Sequence, residues 1–108
     1  MPNVTLFIPA HAMPSDTALA NLTGHCTDLC TGLLLAAAEN MHVIYVPVLH
    51  GRGHPIFADV RYRLAATRTP TVMAQFMEGL DDAIRRATGC QARIRCFGYA
   101  AQCIHARN

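Results

Sequence analysis

The chain has 108 residues, 52% of them hydrophobic, and a formal net charge of +2. That length makes one domain with a real but limited core, the apolar fraction excludes disorder, and so small a charge excludes a general nucleic-acid footprint. The apolar run from Gly32 to Ala38 is far short of the ~18 residues of a membrane span, and nothing before it reads as a signal peptide. A cytoplasmic protein with no membrane or nucleic-acid partner is the expectation.

Two features of composition bear on chemistry. All nine basic side chains are arginine, whose planar fork pairs carboxylates two bonds at a time and keeps its charge in a pocket. The five cysteines are an odd number without an export signal, so they read as reduced thiols. Cys26 and Cys30 stand four apart on a helix beside His25. Without a second ligand pair, that spacing reads as core cysteine rather than a metal site.

A proline follows the initiator methionine. If Met1 is removed, Pro2 becomes a free secondary amine at the tip of a strand. If Met1 stays, it is an ordinary second residue. From Asn3 to Ile8 the chain alternates, with Val4, Leu6 and Ile8 on one face and Asn3, Thr5 and Phe7 on the other, which predicts a strand with one buried face. Pro9 to Pro14 is a loop. Ser15 or Asp16 caps a helix whose apolar stripe runs through Leu19, Leu22, Cys26, Leu29, Cys30, Leu33 and Ala37 and fades near Glu39–Asn40. Gly24 and Gly32 weaken it locally. His42 to Leu49 is a second strand, and its Pro47 suits a sheet edge or strand end. Gly51 to Pro55 is a turn-rich connector flanked by His50 and His54, which read as solvated turn residues.

The pattern then repeats. Ile56 to Leu64 predicts a third strand, with Val60, Tyr62 and Leu64 opposed by Asp59, Arg61 and Arg63. After a loop, Thr69 caps a second helix with Pro70 in its first turn. Its stripe is Met73, Phe76, Met77, Leu80, Ala83, Ile84 and Ala87, and Gly89 ends it. Ala92 to Phe97 is a fourth strand, with Ile94 and Cys96 opposed by Arg93, Arg95 and Phe97. A short tail has room for one more turn or a small strand. The chain therefore reads as two β-α-β repeats, about residues 2–50 and 56–108, forming an α+β fold. Right-handed crossovers place both helices on one face of a four-stranded sheet. The other face collects Asn3, Thr5, Asp59 and four arginines, Arg61, Arg63, Arg93 and Arg95. Such a face is either an open, solvated sheet surface or a lining that receives anions.

Met1-Pro2 before a strand, two β-α-β units and this length together resemble the tautomerase superfamily. That group includes macrophage migration inhibitory factor, 5-carboxymethyl-2-hydroxymuconate isomerase, malonate semialdehyde decarboxylase and, as half-length chains, 4-oxalocrotonate tautomerase. The resemblance implies that Pro2, freed of Met1, is the catalytic base. Counting Ala58 as the internal equivalent of Pro2, it implies that Arg68, in Ala66-Thr67-Arg68-Thr69-Pro70, is the loop arginine that binds a substrate carboxylate. It implies that the strand Ala92-Arg93-Ile94-Arg95-Cys96-Phe97 reaches the proline pocket of a neighbouring subunit of a homotrimer whose sheets close a barrel. Arg93 and Arg95 stand where the migration inhibitory factor branch has tyrosine and asparagine, which implies a more anionic substrate. His11-Ala12 and His42 fall near the positions where the half-length enzymes carry arginines. No residue matches the acidic, water-activating group of the dehalogenase branch, which argues against dehalogenation.

The chemistry implied is keto-enol or 1,3-allylic proton transfer on a small anionic carbonyl compound, a 2-oxo acid or dicarboxylate. A pocket lined by Phe7, Ile8 and Phe97, with arginines nearby, would lower the pKa of Pro2 toward a value suited to a base at neutral pH. Arg68, Arg93 and Arg95 would orient the substrate and stabilise developing enolate charge. Arg61 and Arg63 rank second. No metal or organic cofactor is needed. The alternatives are decarboxylation or hydration with protonated Pro2 as general acid, and a non-catalytic ligand-binding homo-oligomer if Met1 is retained.

Overall fold

Alternation along the first strand is met to the residue. In the computed structural model, which describes residues 2–108, Val4, Leu6 and Ile8 are at most 1% exposed, while Asn3, Thr5 and Phe7 are half-buried on the other face. This strand is β1, Asn3–Pro9, followed by a single 3-10 turn at Ala10–Ala12. Helix α1 runs Asp16–Gly32. Its N-cap is Ser15, whose hydroxyl accepts from the Ala18 N–H at 3.2 Å and satisfies one of the orphan amides of the first turn.

The helix stops at Gly32, well before the Glu39–Asn40 that the apolar run predicts. Leu33 closes it, Leu34 drops into the core at 1% exposure, and Leu35 takes a positive φ of 54°. Few non-glycine residues adopt that backbone, and the Ala36 N–H then donates back to the Cys30 carbonyl at 3.0 Å. Burying Leu34 requires the chain to turn there, and that tertiary gain outweighs the helix propensity of the leucine-alanine run. A 3-10 turn at Ala38–Asn40 leads into β2, His42–Val48.

Strand β3 spans Ile56–Arg63, helix α2 Pro70–Thr88, and β4 Ala92–Tyr99. The caps of α2 follow the sequence: the Thr69 hydroxyl accepts from the Val72 N–H, Pro70 occupies the first turn, and Gly89 ends the helix at φ 71°. The tail holds one 3-10 turn, Ala101–Cys103.

The sheet order is β2-β1-β3-β4. Strands β1 and β2 are parallel, β3 and β4 are parallel, and β1 meets β3 antiparallel. Each β-α-β unit thus contributes a parallel pair. Pro47 lies on β2, an edge strand, where the ladder bond it cannot donate is not missed on the outer side. Both helices pack on the face carrying Val4, Leu6, Ile8, Ile56, Ala58 and Val60, and Phe76, Leu80 and Ile84 of α2 complete the core with Leu22, Cys26 and Cys30 of α1. Tyr45 pins β2 to α1: its hydroxyl lies 2.8 Å from Thr23 Oγ1 and donates to the Leu19 carbonyl at 3.3 Å. The second sheet face has no layer over it in one chain, and the arginines sit there.

Candidate functional site

Register places every open-face side chain. Phe7, Phe57 and Arg93 form one row across β1, β3 and β4; Thr5, Asp59 and Arg95 form the next; Asn3, Arg61 and Phe97 form the third. Pro2 lies beyond the third row, and its carbonyl accepts from the His42 N–H at 3.2 Å.

At the end of the sheet where β3 begins there is a groove of about 860 Å³. Arg93, Arg95 and Phe97 line it from β4. Phe7 and Phe57 form its floor as a stacked pair, with ring centroids 5.9 Å apart and planes at 14°. The β2–β3 connector, residues 49–55, supplies the remaining wall with His50, Arg52, His54 and Pro55. His50 Nε2–H donates to the Gly53 carbonyl at 3.0 Å, closing a turn in which Gly53 takes a φ of 97°. Glycine suits that backbone because it has no Cβ to clash.

A second, smaller cleft of about 150 Å³ lies at the Pro2 end of the same face, lined by Asn3, Arg61, Tyr62, Arg63, Tyr99 and Ile104. Arg61 is already engaged there. Its Nε pairs with Asp59 Oδ1 at 3.2 Å, its Nη1 donates to the Tyr99 hydroxyl at 3.0 Å, and its guanidinium lies 5.4 Å from the Phe97 ring centroid. An arginine held on three sides is an organiser of the face before it is a hand for ligand.

Arg68 is elsewhere again. Its Nε donates to the Leu34 carbonyl at 3.0 Å and its Nη1 to the Arg63 carbonyl at 2.6 Å. The side chain straps the turn after α1 to the end of β3. It lines neither cleft.

Of the residues singled out in the sequence, the fold therefore brings Arg93, Arg95 and Phe97 into one groove and Arg61 and Arg63 into a smaller cleft, and it holds Arg68 apart from both. Pro2 is fully buried. It is five residues along the strand and two strands across from Arg93, roughly 20 Å at standard sheet spacings. Phe7 and Ile8 do not line a pocket around Pro2, contrary to expectation. Phe7 faces the distant groove, Ile8 lies in the core under the helices, and about 17 Å and about 20 Å of strand, respectively, separate them from Pro2. Ala58 is also displaced as an internal equivalent of Pro2: it sits opposite Leu6 in the middle of the sheet. Counting thirteen residues back from each helix N-cap, Ser15 and Thr69, pairs Pro2 with Ile56 instead.

Sequence reading missed the connector. Gly51-Arg52-Gly53 looks like any turn, and nothing local shows that it folds beside the arginines of β4. The cysteines, by contrast, sit where expected. Burial pushes the thiols of Cys26 up to about 12 and of Cys30 and Cys96 up to about 11, so they stay protonated and inert near neutrality. Among the described residues no cluster of three or more potential metal ligands occurs, and no helix is long and apolar enough to cross a membrane.

No family profile matches the sequence, and no curated protein does. Solved structures match throughout. Macrophage migration inhibitory factor from Toxoplasma gondii aligns at 14% identity and a TM-score of 0.76, over 96% of this chain and 95% of that one. N1, a member of the cis-3-chloroacrylic acid dehalogenase family, aligns at 13% identity and a TM-score of 0.80, over 96% and 79%. A fused 4-OT symmetric trimer aligns at 16% identity and a TM-score of 0.78, over 98% and 92%. The order β2-β1-β3-β4, with both helices on one face, is thus the fold of the migration inhibitory factor and 4-OT structures.

Proposed function

We propose that the protein is a cofactor-independent tautomerase that uses Pro2 as a general base, after loss of Met1, on a small anionic 2-oxo acid or dicarboxylate. The observation that carries this reading is the place of Pro2. It heads β1, one of the two central strands, in a fold shared with migration inhibitory factor and 4-OT structures. A prolyl amine there abstracts a proton next to a carbonyl and returns it to another carbon, while arginines hold the carboxylate and stabilise enolate charge.

One chain does not complete such a site, because by sheet geometry Arg93 lies about 20 Å and Arg95 about 14 Å from Pro2. Assembly as a homotrimer is the natural remedy, with the arginine strand of one protomer meeting the proline of another. Two features support it. The open face exposes Ile44 (42%) and Phe97 (40%), and strands β2 and β4 leave their outer edges unpaired within the chain. The fused 4-OT relative is a symmetric trimer.

A second reading, a non-catalytic ligand-binding oligomer, draws on the full burial of Pro2. Intact mass together with one variant separates the two. The tautomerase reading expects a mass short by one methionine, turnover of a pure enol substrate without loss of carbon dioxide, and a fall of about 100-fold or more for Pro2→Ala made with Met1 removed. Full activity in that variant would eliminate Pro2 as the base.

A further inference from the structure

Asp59 stands between two arginines. Among the described residues it is the only acid on a strand, and it shares the open face with Arg61, Arg63, Arg93 and Arg95. Arg61 follows it two residues along β3, about 7 Å away, and Arg95 is its register partner on β4, one strand spacing of about 5 Å away. Opposite charges facing each other across neighbouring strands attract, so Arg95 is a natural partner for this carboxylate.

The carboxylate pairs with Arg61 instead. Arg61 Nε lies 3.2 Å from Asp59 Oδ1 and Nη2 lies 3.5 Å from Oδ2, so the fork meets both oxygens. Arg95 makes no ion pair among the described residues, and its one bond runs from Nη1 to the Ile94 carbonyl at 2.8 Å.

Two neighbours bias this competition. Arg61 Nη1 donates to the Tyr99 hydroxyl at 3.0 Å, and the guanidinium lies 5.4 Å from the Phe97 ring centroid. Both contacts hold the fork in the orientation that meets Asp59. The carboxylate is the sheltered member of the pair, 18% exposed against 55% for Arg61. Without Arg61 it would face the next cation in register, Arg95.

We propose that Arg61 is a positioning residue: by occupying Asp59 it keeps the Arg95 guanidinium free for the substrate carboxylate. The role of Arg95 rests on the tautomerase reading, whereas the exchange of partners between the two arginines does not. Phenylglyoxal labelling with peptide mass spectrometry measures that exchange, because the reagent attacks a deprotonated guanidine and a paired carboxylate opposes deprotonation. An exposed ion pair is weak, so several-fold effects are expected. In Arg61→Gln the labelling rate of Arg95 should fall about threefold or more, and in the double variant Asp59→Asn/Arg61→Gln it should return to within about twofold of the parent. Arg61→Lys, which keeps a charge beside Asp59, should stay close to the parent.

Turnover of the enol of phenylpyruvate reads the consequence. KM should rise about threefold or more in Arg61→Gln with kcat within about twofold, and removing Asp59 as well should bring KM back. Unchanged Arg95 labelling in Arg61→Gln, or labelling that stays slow in the double variant, would overturn the proposal whatever the activity. A KM that stays raised in the double variant would overturn it too, because Arg61 would then be touching substrate itself. Full activity in Pro2→Ala would instead strike the tautomerase reading, with the labelling result intact.

Discussion

Replacing Arg68 with glutamine tests whether that side chain is a strap or a hand. The guanidinium donates to two backbone carbonyls, Leu34 O at 3.0 Å and Arg63 O at 2.6 Å, that belong to segments far apart in sequence. A hydrogen bond from a charged donor contributes about 1.5–3 kcal/mol. Arg68 is only half-buried, so water replaces part of each bond on its loss, and the lower end of that range applies. The sum is about 2–3 kcal/mol. For a domain of this size, a loss of 2 kcal/mol lowers Tm by roughly 10 °C. Urea and thermal unfolding at one fixed protein concentration would measure it, because any assembly makes stability concentration-dependent. Arg68→Lys should recover part of the loss, since an ammonium is a point donor that lacks the fork needed for both carbonyls. A glutamine variant within about 0.5 kcal/mol of the parent would refute the strap and return Arg68 to the pool of arginines free to hold a substrate.

Two further perturbations probe packing and the buried thiols. A Cβ at Gly98 would lie 2.6 Å from Leu64 Cδ2 and 2.9 Å from the Tyr62 ring, so Gly98→Ala should cost about 1–3 kcal/mol in urea unfolding. At Gly79 the new methyl would meet one flexible methyl group of Leu29 at 2.5 Å, so Gly79→Ala should cost clearly less, and equal costs would contradict this account. The thiols of Cys26, Cys30 and Cys96 titrate higher in the folded state than their ordinary value of 9.0. Their contribution to stability is therefore complete below pH 9.0 and is lost as pH rises toward 11–12. Urea midpoints should fall as pH rises from about 8.5 to 10.5. At about pH 8 a thiol reagent should modify the exposed Cys103 first and reach these three only on unfolding. Rapid modification of three or more thiols in the folded protein would contradict their burial.

Local physics was enough to read most of the fold. Alternation in β1 and β3, the Ser15 and Thr69 caps, and Gly89 at the end of α2 are each decided within a few residues, and two parallel β-α-β units over one core follow from them. The end of α1 was not legible, because the stop at Gly32 depends on burying Leu34 against strands that lie elsewhere in the chain. The arginines show the same division. Sequence placed Arg61, Arg63, Arg93 and Arg95 on one face, since period two along a strand is a local property. Only the register of β3 with β4 and the path of the connector decided that Arg93 and Arg95 share a groove with Arg52 while Arg61 is held by Asp59 and Tyr99. Side-chain type and periodicity are written residue by residue, whereas which charges become neighbours is settled by strands that meet across the whole length of the chain.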